Sequence, residues 1–160
     1  MTLPFFASRT LVVGALALII TASPGGAAPS TNASSTKKEQ ELIRLLNSDA
    51  APAEKALACK ELTVYGTKAS VPALARLLPD EQLSSWARIP LEAIPGSAPD
   101  AALRQAMGSL QGKLLVGVIN SIGQRKDVKV LGALEKLRHD QDSEVVQAAD
   151  AALAHIRPPL

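Results

Sequence analysis

Few residues of this 160-residue chain could carry out chemistry, and those few lie far apart. The only histidines are His139 and His155, and the only cysteine is Cys59. A zinc site needs several such ligands at short spacings, and no cysteine lies near either histidine in the sequence. Cys59 lies within a helical apolar pattern, which indicates a buried, unreactive thiol. We therefore expect no metal site, no bound cofactor and two histidines at the solvated surface.

The remaining candidates for catalysis also have simpler interpretations. Asp140 and Asp142 could serve as an acid–base pair, but carboxylates in a turn before a helix cap that helix. The stretch from Gly108 to Gly112 lacks the Lys-Ser/Thr pair of a phosphate-binding loop, because Lys113 is followed by leucine. No Gly-x-Ser-x-Gly motif is present. The sequence therefore predicts a protein that is not an enzyme.

The chain instead shows a repeated apolar pattern of helical period. Four segments carry apolar residues eight, seven and three places before a closing apolar residue, and closing residues stand at 65, 94, 122 and 156. The members are Leu57, Ala58, Leu62 and Tyr65; Trp86, Ala87, Leu91 and Ile94; Leu114, Leu115, Ile119 and Ile122; and Ala148, Ala149, Leu153 and Ile156. Self-similarity at such a period is typical of solenoids, whose units bury apolar faces only against their neighbours.

Composition supports helices as the repeating element. Aromatic residues make up 2% of the chain, so the core must consist of aliphatic side chains, and Ala and Leu favour helix. Short links between consecutive helices favour antiparallel pairs. The prediction is an all-α fold, a right-handed α-solenoid of about four antiparallel helix pairs. The units are expected at about 38–66, 67–96, 97–126 and 127–157, with a tail at 158–160.

The fourth unit resembles a HEAT repeat of the short bacterial, phycobilisome-lyase type. The matching residues are Asp127, Leu131, Leu134, Leu137, Asp140, Asp142, Val145, Ala148, Ala149, Ala152 and Leu153. The chain departs from the pattern at Val146, where many members of the family carry an arginine. The resemblance covers roughly residues 39–156. It implies stacked helix pairs and an interaction scaffold, and one branch of the family handles bilin chromophores.

The first residues predict export. Leu11 to Ala22 form an apolar run that follows Arg9, the only charged side chain before Lys37. A helix needs about 20 apolar residues to cross a bilayer, so this shorter run fits a secretory signal. We expect cleavage after Ala27, which gives a signal peptide at 1–27, a polar linker at 28–37 and a periplasmic or extracellular protein without stable membrane insertion. An uncleaved membrane anchor is the alternative.

Charge and helical position suggest what the folded part binds. The 17 basic and 15 acidic residues nearly balance, which argues against nucleic acid as a partner. Trp86, at a repeat position, is expected in the core or between repeats. Polar residues of the second helices are expected to form a concave binding strip for a protein partner; they are Lys60, Glu61, Arg88, Glu92 and Gln147.

The resulting hypothesis is a non-catalytic, exported HEAT-repeat scaffold that binds protein. Two alternatives stay open: a bilin-lyase-like module that handles a small ligand, and a truncated repeat segment of a larger envelope enzyme. The last helix is apolar enough to predict a partner or self-association through the C-terminal repeat. Pro90, inside the second helix of its unit, predicts a kink there.

Overall fold

The computed structural model of the protein describes residues 31–157. The predicted signal peptide 1–27, the first residues of the predicted linker and the tail 158–160 lie outside the described residues. The helices are α1 Thr31–Leu46, α2 Pro52–Tyr65, α3 Val71–Ala75, α4 Ser84–Ala93, α5 Ser97–Met107, α6 Gly112–Arg125, α7 Leu131–Leu137 and α8 Ser143–Ile156. A short 3₁₀ turn, Val128–Val130, precedes α7. Within residues 31–157 no strand is present, so the prediction of an all-α fold is confirmed.

Consecutive helices pack in pairs, and each pair contacts the next. α1 packs against α2, α3 against α4, α5 against α6, and α7 against α8. The second helices also contact one another in the order α2, α4, α6 and α8, and α3 contacts both α1 and α5. The last three pairs fall within the predicted units 67–96, 97–126 and 127–157, whereas the first pair begins at Thr31, ahead of the predicted unit 38–66.

The repeated pattern accounts for the buried side chains of the second helices. The residues seven and three places before the closing residue are buried in every pair, from Ala58 and Leu62 to Ala149 and Leu153. The pattern fails at three places in the first two pairs, because Leu57 is 61%, Trp86 40% and the closing residue Tyr65 38% exposed, whereas Ala148 at the first position of α8 is buried. Trp86 is therefore not a buried core residue, and it lies between the second helices of the first two pairs, beside Leu57. α4 continues across Pro90, which is itself buried.

α1 begins at Thr31, within the stretch that the sequence analysis assigned to a polar linker. Residues 31–37 are therefore helical, although Ala33 to Lys37 are exposed. The packed part of α1 lies further along, where Leu42 and Leu46 are buried. Once that packed part is helical, each added residue gains a hydrogen bond without a new nucleation step. Extension by weakly helical residues therefore costs little.

Gly66 lets the end of α2 lie against the end of α4. Its backbone is extended, with φ −69° and ψ 137°, so any residue could adopt it. A Cβ atom there would overlap the backbone carbonyl oxygen of Leu62 and would lie 3.0 Å from Cδ1 of Ile94. Glycine is therefore required by close approach and not by conformation.

We expect Gly66→Ala to lower the free energy of unfolding by about 1–3 kcal/mol, because the added methyl group forces the two helix ends apart. Gly132→Ala is the matched control, since its Cβ would meet no atom within 4 Å. Alanine within α7 should stabilise by about 0.5–1 kcal/mol. Urea denaturation followed by circular dichroism measures both, and equal effects of the two substitutions would contradict the close-approach argument.

Arg125, the last residue of α6, joins three helices. α4 ends ahead of Pro95, so its last carbonyls have no helical donor. The Nη1 group of Arg125 reaches the carbonyl oxygens of Leu91, Glu92 and Ile94 at 2.9, 2.9 and 2.8 Å. Its Nη2 group donates to Gly96 at 2.7 Å, and its Nε pairs with Asp100 of α5. The Arg125 side chain is only 10% exposed, so this tie is largely shielded from solvent.

Arg125→Met should lower the free energy of unfolding by about 3 kcal/mol, because it leaves Asp100 unpaired and the end of α4 without donors. Arg157→Met removes an arginine that pairs with Glu135 in solvent, at 3.3 Å. That control should change stability by less than about 0.5 kcal/mol. Thermal and urea unfolding of the two variants compare these contacts directly. Similar losses in the free energy of unfolding would show that the buried contacts of Arg125 contribute no more than an exposed ion pair.

Candidate functional site

The candidate catalytic and metal-binding residues are structural or solvated. His139 and His155 are both exposed, as predicted, and Nδ1 of His155 lies 3.1 Å from the carbonyl oxygen of Gly123. Asp142 caps α8 by accepting a hydrogen bond from the Glu144 amide at 2.9 Å, which confirms the capping interpretation. Over residues 31–157, no three His, Cys, Asp or Glu side chains converge into a group that could hold a metal ion.

Two buried titratable groups serve the fold. Cys59 is fully buried, as predicted, and burial raises the pKa of its thiol to about 11, so the reactive thiolate is scarce at neutral pH. Glu39 of α1 is 5% exposed and ties α1 to the turn before α3. It accepts hydrogen bonds from the Thr67 amide at 2.7 Å and from the Ser70 hydroxyl at 2.6 Å. Burial works to raise the pKa of Glu39, but the hydrogen bonds from Ser70 and Thr67 outweigh it and lower that pKa.

The five residues of the predicted binding strip do not lie together. Glu61 turns toward α1, where it pairs with Nζ of Lys38 at 2.7 Å. Lys60 is exposed beside α4, and Gln147 is exposed on α8. Arg88 and Glu92 face α6, as the next paragraph describes. The strip is therefore divided among four separate surroundings, and its binding role stays a prediction.

Arg88 and Glu92 hold α4 against α6. Nη1 of Arg88 donates to the Gly117 carbonyl at 2.9 Å, and the Ser121 hydroxyl donates to Oε1 of Glu92 at 2.6 Å. A Cβ at Gly117 would lie 2.8 Å from Cζ of Arg88, so glycine provides the space for the guanidinium group. Burial lowers the pKa of Arg88, and the charge of Glu92 works against that shift. Both side chains are therefore engaged in contacts between α4 and α6.

The apolar side chains that remain exposed lie mainly on α2 and α4. Leu57 is 61% exposed and Trp86 is 40% exposed, and Val64 and Ile89 extend the same surface. We name Leu57, Val64, Trp86 and Ile89 the α2–α4 face. Outside α2 and α4, the large apolar side chain exposed in the described part of the chain is Val128. A cluster of this kind marks an interaction site more often than isolated exposed residues do.

A groove of about 540 Å³ opens on this face between the N-terminal halves of the two helices. We name it the Trp86 groove. Its lining is apolar except for one amide and one ammonium group, and consists of Pro52, Ala53, Ala56, Leu57, Lys60, Gln82, Leu83 and Trp86. This groove was not predicted from the sequence. A signal was present, because α2 carries apolar residues on two sides, Leu57 and Val64 in addition to the buried stripe.

The last helix pair has a polar outer surface. Val145, Ala149 and Leu153 of α8 are buried. The exposed side carries ion pairs between Arg138 and Asp150, at 2.6 Å, and between Arg157 and Glu135. Neither α7 nor α8 exposes a large apolar side chain, and self-association through this repeat stays a prediction.

Comparison with known proteins adds no relative to this description: no protein-family model and no curated protein matches the sequence. None of the helices in residues 31–157 combines the length and the apolar character needed to cross a bilayer. The surface chemistry of the helix pairs is therefore the basis for a functional proposal.

The lowered pKa of Glu39 predicts an acid-dependent loss of stability. The contribution of Glu39 is complete above the pKa of the unfolded chain, roughly 4.3, and is lost as the pH falls through the lower pKa of the folded state. At pH 7 we expect Glu39→Gln to cost about 1–2 kcal/mol, because the charged hydrogen bonds are lost. The cost should shrink at acidic pH. Denaturation at a series of pH values measures it, with exposed Glu41→Gln on the same helix as the control, and a cost that is constant with pH would contradict the assignment.

Proposed function

We propose that the folded part of the chain is a short right-handed α-solenoid of four HEAT-like helix pairs. The order of contacts supports this, because the main contacts of each pair are with the pairs before and after it, and second helices form a continuous row from α2 to α8. The resemblance of the fourth unit to a HEAT repeat points in the same direction.

The proposed function is that of a non-catalytic scaffold, exported from the cytoplasm, that binds another protein. The observation that carries this proposal is the clustering of exposed apolar side chains on α2 and α4. Contact of Leu57 and Trp86 with water raises the free energy of the protein. A protein surface that covers them lowers it again. Export rests on the apolar run and small residues before Ala28 in the sequence.

The arrangement of polar groups also favours binding over catalysis. Arg88 and Glu92 are engaged with α6, Glu39 with the turn before α3, and Asp142 with the start of α8. A catalytic site needs a nucleophile, a base and a group that stabilises developing charge within hydrogen-bonding reach of one another. These four side chains are instead used one by one to join or cap helices.

The scaffold function can be tested by placing a photo-reactive amino acid at single exposed positions in living cells. We expect Ser85 on α4 to cross-link to a discrete protein outside the cytoplasm, because it lies beside Trp86 on the exposed side of the second-helix row. Lys136 on α7 is the control position and should give no such product.

Three results would contradict the function. They are the absence of cross-links from every surface tested, cross-links only between copies of this chain, and retention of the chain in the cytoplasm.

A further inference from the structure

We infer that the Trp86 groove binds an acidic, apolar peptide segment. The segment would place an apolar side chain between Leu57 and Trp86 and a carboxylate against Lys60. This inference rests on the proposed scaffold function and names the part of the partner that the scaffold recognises.

The shape of the groove suits an inserted side chain. Ala53, Ala56 and Leu57 of α2 lie on one side, and Gln82, Leu83 and Trp86 lie on the other. Leu83 is buried, while Leu57 and Trp86 remain 61% and 40% exposed. Tryptophan is one of the residue types enriched among those that dominate binding energy at protein interfaces.

The positive charge of Lys60 favours an acidic peptide in the groove. Lys60 is the charged residue among those that line it, and no ion pair of Lys60 occurs among the described contacts. The adjacent carboxylate, Glu61, is paired with Lys38 of α1. Once a peptide covers the groove and excludes water, the ammonium group of Lys60 attracts a carboxylate more strongly than it would in water, because the local dielectric constant is then lower. A peptide that is both apolar and acidic therefore matches the apolar lining and the ammonium group of the groove.

A second copy of this chain fits the face less well. Lys60 stands between Leu57 and Val64 on the exposed stripe of α2, near the middle of the α2–α4 face. In a two-fold contact the same patch meets itself, so two Lys60 ammonium groups would approach each other. The carboxylates of α2 and α4 are already bonded, Glu54 to the Ala51 amide, Glu61 to Lys38 and Glu92 to Ser121. Like charges would therefore meet without a carboxylate of these two helices to compensate them.

An anionic membrane surface also fits less well than a peptide. Lipid binding by an amphipathic surface requires apolar side chains that project into the acyl region from a convex or flat face. The Trp86 groove is a depression between two helices, with Leu83 and Ala56 recessed at least in part from solvent. A single peptide side chain reaches into such a depression, whereas a bilayer does not.

The chain contains its own reporter, because Trp86 is its only tryptophan. A library of random peptides of about 12 residues that lack tryptophan is selected against the folded protein. Enriched peptides are synthesised and titrated while Trp86 emission is recorded. We expect enrichment of Asp and Glu together with large aliphatic residues, and a saturable shift of Trp86 emission to shorter wavelength.

Matched variants test the charge and the pocket separately. Lys60→Glu should weaken the selected acidic peptide by about tenfold or more and should turn the selection toward basic peptides. Lys136→Glu makes the same charge change on α7 and should leave both results unchanged. Leu57→Asp should weaken binding to a similar degree, and because Leu57 is 61% exposed the fold should survive, which circular dichroism checks.

Several outcomes would overturn the inference. They are a selection without excess Asp and Glu, a preference unchanged by Lys60→Glu, a dimer in light scattering that Leu57→Asp dissociates, and an equal emission shift with phosphatidylglycerol vesicles. If the photo-cross-links from Ser85 persist in Lys60→Glu, the inference about the groove fails while the scaffold function stands. If no position cross-links to a protein, the scaffold function itself fails.

Discussion

The unsatisfied end of α4 is the constraint on which the arrangement of the middle helices depends. α4 ends ahead of Pro95, which has no N–H group to offer, so carbonyl groups of its last turn need another donor. Arg125 reaches them from the end of α6, and Asp100 of α5 completes the charge. The contacts of Arg125 fix the position of α4 along the axis of α6. They therefore place Arg88 and Glu92 opposite Gly117 and Ser121 of α6.

Close approach of the second helices is the second requirement. A Cβ at Gly123 of α6 would lie 3.1 Å from the Cα of Ala152, and Gly66 and Gly117 have comparably tight surroundings. Gly123 lets two helix backbones approach, while Gly66 and Gly117 make room for the side chains of Ile94 and Arg88 from the next helix. Between α2 and α4 the larger Leu57 and Trp86 occupy the first position of the pattern. They line an open groove, whereas Ala148 at the same position of α8 is buried.

Periodicity was sufficient to predict the helices and the residues of the core, because a buried stripe must recur every three or four residues whatever its partner. Ala58, Leu62, Ala149 and Leu153 are buried for that reason. The contacts between pairs could not be predicted in the same way. Arg88 and Glu92 form a polar strip on any helical projection, and only the absence of a side chain at Gly117 turns them toward α6. Arg125 acts on carbonyl groups about 30 residues away in sequence, a distance that helical periodicity does not constrain.

The exposure of Leu57 and Trp86 has no role in building the stack. Ala58 and Leu62 are buried and already pack α2 against its neighbours, and Ala87 and Leu91 do the same for α4. A polar side chain at Leu57, which is 61% exposed, would leave those contacts intact and would remove an aggregation hazard. Apolar groups in water that the fold does not need are a cost to the isolated protein. A partner that covered them would turn that cost into binding free energy, and this is the physical basis of the recognition surface that we propose on α2 and α4.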